Sequence, residues 1–365
     1  MTDTEACIAL NMLPGMGPVR LRRLLEVFET PARILAAKTQ ALRSVNGVGP
    51  EVAETITRWE EHVDLQGELA RIGEFGAEVL TQASPDYPRL LREIHNPPIV
   101  LYVWGKLSHR DEHAIGVVGS RQASHYGTEC AKKLSYQLAY AGMTVVSGLA
   151  RGIDTSAHQG ALAAKGRTVA VLGSGLSRLY PRENQGLAEK IADGSGAVVS
   201  EFSMEVKADV QTFPMRNRIV SGMSFALLVV EAGLNSGALI TASQAIDQGR
   251  SVYAVPGPIN RPTSTGSNRL IQQGAKLVMD AGDILEDIQT LFPETPKLSP
   301  SAPCTDALGE EERAVYDSIG DSETAIDEVI AKSGLPTAKV CSTLLALEMK
   351  RLVKQLPGQH FVKLI

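Results

Sequence analysis

A chain of 365 residues, 44% hydrophobic and 21% charged, has apolar material for two or three domains with a large core, so a globular, soluble protein is expected. A net charge of −5 excludes a surface coated in basic residues, and any contact with nucleic acid must come from a local groove. No apolar run approaches the ~20 residues that span a bilayer, and the start Met1-Thr2-Asp3-Thr4-Glu5 has no basic signal region, so the cytoplasm is the expected compartment.

Four cysteines, Cys7, Cys130, Cys304 and Cys341, lie far apart with neither a C-x-x-C pair nor zinc-ligand spacing, which predicts reduced thiols and no metal site.

In chain order, the first predicted module is helical and covers residues 1–66. Leu13-Pro14-Gly15-Met16-Gly17-Pro18 precedes an amphipathic helix from Val19 to Phe28, and Val45-Asn46-Gly47-Val48-Gly49-Pro50 precedes another from Glu51 to about His62. Both match a helix-hairpin-helix pattern of the SAM-like kind. The glycines allow a tight turn whose exposed amides at a helix N-terminus can receive a phosphate. A packing module that keeps the turns and touches no DNA fits the same residues.

Residues 67–291 then alternate strand and helix. Short β-branched runs bounded by glycine are Ala114–Gly119, Met143–Ser147, Thr168–Leu172, Ala197–Ser200, Phe225–Val230, Ser251–Val255 and Lys276–Met279, with Glu78–Thr81 and Ile99–Val103 before them. Nearly continuous apolar strands predict a mostly parallel, doubly wound α/β sheet buried on both faces.

The segment 292–306 holds Pro293, Pro296, Pro300 and Pro303 in a polar run and reads as a linker. The remaining 307–365 predict helices over Glu310–Ile319, Glu323–Lys332 and Pro336–Lys350, followed by a hairpin over Leu352–Leu364, the outline of a winged helix. From Thr305 to Ile365 seven basic residues face ten acidic ones, a poor balance for gripping a duplex. Protein contact or self-association is the competing role; Lys339, Lys350, Arg351 and Lys354 would be the basic face.

In such a sheet ligands bind beyond the carboxyl ends of the strands. Those positions hold Gly119-Ser120-Arg121, Ser147-Gly148, Gly173-Ser174-Gly175, Glu201, Glu231-Ala232-Gly233 with Ser236-Gly237, and Pro256-Gly257. Small residues admit a ligand's backbone, and helix amides together with Arg121 donate to anionic oxygens. Between two predicted strands, Phe213-Pro214-Met215-Arg216-Asn217-Arg218 sets two guanidinium groups beside an aromatic ring, a combination suited to phosphates and a stacked base. Phe213 is equally readable as the core anchor of its loop, and Tyr126 is a second stacking candidate.

Other chemistries fit less well. Gly173-Ser-Gly175 follows a strand, but Arg178 stands where a dinucleotide fingerprint needs its third glycine, and no phosphate-binding G-x-x-x-x-G-K-[ST] occurs. Asp154, Glu201 and Glu231 are readable either as general acid/base groups or as partners that orient arginines. His158 reads as packed in its helix, since no Ser or Cys nucleophile stands at a recognisable spacing.

In order, Tyr87-Pro88, Asn96-Pro97-Pro98, Gly119-Ser120-Arg121 with Tyr126-Gly127, Ser147-Gly148 through Asp154 with His158, and Val171–Leu176 with Tyr180-Pro181 and Asn184 resemble the bacterial DNA-processing protein A family, also called Smf. The likeness continues through Ser200-Glu201, Phe213–Arg218, Val230-Glu231-Ala232, Ser236-Gly237, Pro256-Gly257 and Gly266–Ile271, closely over residues 85–285 and in outline at both ends. The resemblance implies an extended Rossmann-like domain that binds single-stranded DNA, forms a homodimer, and loads RecA recombinase onto the strand during natural transformation, with no cofactor and no catalysis. It implies DNA contact by Arg121 of the Gly119-Ser120-Arg121 loop, the Ser147-Gly148 turn, Arg216 and Arg218; with the strand-end and aromatic residues already named, the expected DNA-binding set is Gly119, Ser120, Arg121, Ser147, Gly148, Phe213, Arg216, Asn217, Arg218, Ser236 and Gly237.

Two readings compete. A nucleoside-monophosphate phosphoribohydrolase shares the sheet design, although Val229–Gly237 lacks that family's Pro-Gly-Gly-x-Gly-Thr loop. Alternatively, the tandem hairpins bind duplex DNA and the α/β domain is a scaffold.

Overall fold

The computed structural model describes residues 1–291, 309–320, 324–349, 352–356, 358 and 360–363, in two compact units, Met1–Leu298 and Ser299–Ile365. The proline-rich segment 292–306 expected to be a linker, and Cys304, lie outside the described residues.

The first unit is built on a nine-stranded sheet. Its strands are β1 (Glu78–Thr81), β2 (Val100–Gly105), β3 (Ala114–Val118), β4 (Thr144–Ser147), β5 (Thr168–Val171), β6 (Gly196–Ser200), β7 (Ala226–Val229), β8 (Ser251–Ala254) and β9 (Lys276–Leu277), in the order β1-β2-β6-β5-β4-β3-β7-β8-β9. From β6 to β9 every neighbouring pair is parallel, while β2 lies antiparallel to β6 and β1 antiparallel to β2. Starting from the middle, the chain lays down β3 to β6 in one direction, then returns to place β7 to β9 on the other flank of β3. The reversal at β3/β7 is the switch point where α/β sheets open a crevice.

Period-2 alternation decides which helices each strand meets. Leu227 and Val229 of β7 pack with Ile219 and Val220 of the helix Thr212–Gly222 and with Ala238 and Ala242 of the helix Gly237–Asp247. Ala226 and Leu228 face Leu134 and Leu138 of the helix His125–Tyr140 and Ala157 and Ala161 of the helix Ile153–Ala163. Each such valine or leucine, fully buried, contributes about 1.5–3 kcal/mol of transfer free energy. The expected doubly wound, mostly parallel Rossmann-like sheet is present.

On the β5/β6/β2 flank the second face is covered by the N-terminal helices instead. Ala170, Leu172, Val198 and Tyr102 form one core cluster with Ile8, Leu10, Leu24, Ile34 and Ile56. The helices Pro18–Phe28 and Pro50–Thr57 open with proline at their first position, where a missing N–H costs nothing, and a further turn, Trp59–His62, follows. Gly15 and Gly47 adopt left-handed φ of 74° and 85°, as the two hairpin turns require. Arg20 joins those turns, donating to the Gly15 carbonyl and, at 3.0 Å, to that of Gly47.

In the second unit the helices Glu310–Ser318, Ile326–Ser333 and Thr337–Met349 accompany a small sheet in the order β10 (Thr324–Ala325), β12 (His360–Lys363), β11 (Val353–Leu356), the winged helix expected. Of the basic face proposed for it, Lys339 is paired with Glu311 at 2.6 Å, while Lys350 and Arg351 lie outside the described residues.

Candidate nucleic-acid interface

A cleft of about 980 Å³ opens at the β3/β7 switch point. Its walls are the loop after β3 (Gly119–Gln122), Ala150 and Asp154 beyond β4, the turn leading into the helix Gly237–Asp247 beyond β7, the loop 259–265 beyond β8, and the start of the helix Thr212–Gly222.

Arg121 is exposed, and its guanidinium carbon lies 4.2 Å from the centroid of the Phe213 ring, a stacked cation–π arrangement. That ring rests against the backbone of Gly173, and Tyr180 stands 6.2 Å away, centroid to centroid. Arg121 thus rests on the ring, its guanidinium has no hydrogen-bond partner among the described residues and can turn to an anion, and Phe213 keeps a partly exposed face.

The floor is a buried charge cluster. Arg216, 4% exposed, donates to the carbonyls of Gly148 and Val171, and its Nε donates to Asn217 Oδ1 at 3.2 Å. Burial brings its pKa down to about 10; the Asp154 carboxylate opposes this and the charge on Arg121 adds to it. Asp154, 7% exposed, accepts from the Ala150 amide at 3.3 Å, and burial raises its pKa against the pull of Arg216. A Cβ at Gly148 would stand 2.4 Å from the Arg216 guanidinium, so any side chain there must displace that group.

On the β7 side, Ser236 caps the helix Gly237–Asp247 by accepting from the Ala238 amide at 3.3 Å, and Gly237 lines the wall beside it. The rim is apolar: Val210, Leu234, Ile240 and Ile259 border the cleft and are exposed, Ile259 at 93% and Val210 at 81%. Val210, Leu234 and Ile259 are isolated aliphatics in loops and Ile240 is one exposed position on the helix Gly237–Asp247, so no periodic signal pointed to them.

Gly119, Ser120, Arg121, Phe213, Arg216, Asn217, Ser236 and Gly237 therefore share one cleft. Three expected members are placed otherwise. Ser147 is fully buried and donates to the Val117 carbonyl at 2.6 Å, a link between strands. Gly148 lies beneath Arg216 and offers it a carbonyl rather than lining the wall. Arg218 turns away from the cleft: it is 6% exposed and paired with Glu201.

The cause is the helix. Phe213-Pro214 sits in its first turn, where proline is tolerated, and residues two apart on a helix do not share a face.

The remaining acids are also held. Glu201 is pushed upward in pKa by burial against the attraction of Arg218, and Glu231 accepts from the Ser124 hydroxyl at 2.7 Å and from the Ser124 amide. His158 is buried, with Nδ1 2.7 Å from Thr168 Oγ1; since that hydroxyl already donates to Val145, the histidine is the donor.

Residues 78–289 match the family DNA recombination-mediator protein A, residues 299–359 the DprA winged helix domain, and residues 8–58 the SAM-like helix-hairpin-helix tandem. Protein Smf of Synechocystis sp. is 34% identical over 97% of both chains, and Protein Smf of Escherichia coli 41% identical over 75% of this chain and 74% of its own.

Among solved structures, DNA processing protein A from Streptococcus pneumoniae superposes with a TM-score of 0.69 at 32% identity, covering 79% of this chain and 98% of that one. DNA processing protein A from Helicobacter pylori, described for its unique single-stranded DNA binding mode, gives 0.52 at 26% identity over 60% of this chain and 97% of that one.

Proposed function

Because this chain belongs to the DNA recombination-mediator protein A family, we propose that its switch-point cleft binds single-stranded DNA, without catalysis, so that the strand is protected and passed to RecA recombinase during transformation and recombination. The observation that carries the reading is the Arg121 guanidinium fixed over Phe213 in the same cleft as Arg216. Arg121 supplies the exposed charge for a phosphate, the amides around Ser120 and Ser236 supply neutral donors, and buried Arg216 shapes the floor. The aliphatic rim suits the open faces of unstacked bases, which a duplex keeps inside its stack. The binding described for the Helicobacter pylori relative supports the same ligand.

Asp154, Glu201 and Glu231 are each engaged by neighbouring donors, which favours structural roles over general acid/base work. The homodimer and the RecA hand-over rest on the family resemblance, and sedimentation at several concentrations and a RecA filament assay test them.

The direct test is binding of single-stranded and duplex oligonucleotides by the whole chain across a salt series. Preference for the single strand with a steep salt dependence is expected, and equal or stronger duplex binding overturns the reading. Release of adenine from AMP by the purified protein would instead favour the phosphoribohydrolase reading.

A further inference from the structure

We propose that Asn11 on the helix Asp3–Met12 and Glu68 on the helix Leu65–Phe75, both outside the cleft, are positioning residues for it: they hold the segment 201–212 that carries Val210 to the rim and leads into Phe213. The inference rests on the cleft being the DNA site. Between the end of β6 and the helix Thr212–Gly222 the chain has no strand ladder, so its backbone groups must find partners elsewhere.

Those partners lie on two sides. Asn11 Nδ2 donates to the Glu201 carbonyl at 2.9 Å, and the Met204 amide donates to Glu68 Oε1 at 2.8 Å. From the sheet side, the Gly175 amide donates to the Val206 carbonyl at 2.8 Å, and the Thr212 hydroxyl to the Gly173 carbonyl at 2.6 Å. The segment is thus tied between the N-terminal helices and the loop after β5, and beyond its last tie come Phe213 and Arg216.

Glu68 is an unusual residue for a packing face. Only 1% of it is exposed, and a buried carboxylate is costly unless it is paired and hydrogen-bonded. Here Arg71 Nε donates to Oε2 at 3.1 Å and the Met204 amide takes Oε1, so the carboxylate spans its own helix and the segment. Met204 itself is fully buried in the cluster that includes Ile8, Leu10 and Ile72. A hydrophobic residue at position 68 would pack equally well but would leave the Met204 amide without an acceptor.

The test uses the full chain with Glu68→Ala, Glu68→Gln and Asn11→Ala, read by amide hydrogen exchange of residues 202–211 and by affinity for a labelled single-stranded oligonucleotide. Glu68→Ala should raise exchange in this segment at least about tenfold while β3 to β7 stay protected, and should weaken binding by roughly tenfold, the scale of one lost buried hydrogen bond. Glu68→Gln keeps an acceptor oxygen for the Met204 amide and loses only the bond from the part-exposed Arg71, so exchange and affinity should stay near those of the parent; Asn11→Ala should show the same local loosening in smaller measure.

Unchanged exchange in the segment, or a rise only in step with the strands, overturns the proposal. So does a loosened segment with unchanged affinity when Arg121→Ala still weakens binding. If Arg121→Ala also leaves affinity unchanged, the DNA reading of the cleft is what fails, and exchange alone then judges the tether.

Discussion

Arg216 and Arg218 stand two positions apart on one helix and leave it on different faces, the first onto the cleft floor beside Asp154, the second into an ion pair with Glu201. A pair of guanidinium groups that looks like one anion clamp is therefore two separate devices. The exposed charge of the cleft comes mainly from Arg121, on a loop nearly a hundred residues earlier in the chain.

Arg121→Ala should lower affinity for single-stranded DNA by about 1–3 kcal/mol and reduce the salt slope by about one, with the thermal midpoint unchanged, because the side chain is exposed and makes no buried hydrogen bond. A fluorescence-anisotropy titration at several salt concentrations, alongside a thermal melt, checks both parts.

Arg218→Ala should destabilise the fold by about 3–5 kcal/mol, since it strands the Glu201 carboxylate in the core. The double variant Arg218→Met with Glu201→Leu should recover most of that loss. Denaturant midpoints measure the pattern, and binding per folded molecule should change little in the double variant.

Gly148→Ala should cost about 1–3 kcal/mol of stability and also weaken DNA binding, because the added methyl displaces the Arg216 guanidinium from the carbonyls of Gly148 and Val171. Melting and the same titration give the two numbers. A binding loss without a stability loss would contradict this packing.

Burial, assisted by the charge on Arg216, depresses the His158 pKa from 6.5 to about 3. The unfolded chain takes up a proton there as pH falls below 6.5, whereas the native protein does so only near pH 3. This contribution to stability is therefore full above pH 6.5 and lost as pH falls toward 3, at up to about 1.4 kcal/mol per pH unit. Comparing denaturant unfolding of the parent and His158→Gln between pH 7 and pH 5 isolates it: the parent should lose stability faster.

The strands of the sheet were legible because β-branched runs ending in glycine have few other uses, and every predicted run from Ala114 to Met279 contains a strand. The loops at their carboxyl ends were legible for the same reason, since Gly119-Ser120-Arg121 follows β3 directly and Ser236-Gly237 lies in the turn that leads from β7 into the next helix. The segment 201–222 was not. It was read as two guanidinium groups beside an aromatic ring between two strands, and only the helix reveals that Arg218 faces inward. The hold of Glu68 on Met204, across 136 positions, leaves no local trace in either segment.

The shared cluster of Ile8, Leu10 and Ile56 with Ala170, Leu172 and Val198 bears on how this protein can be dissected. Cutting away residues 1–66 would strip the covering from one flank of the sheet and present sticky aliphatic surface to water, inviting aggregation whatever the hairpins do. A truncated protein that fails to bind would then report damage rather than division of labour, so the contribution of the hairpins is better measured with single substitutions at their exposed turns in the intact molecule.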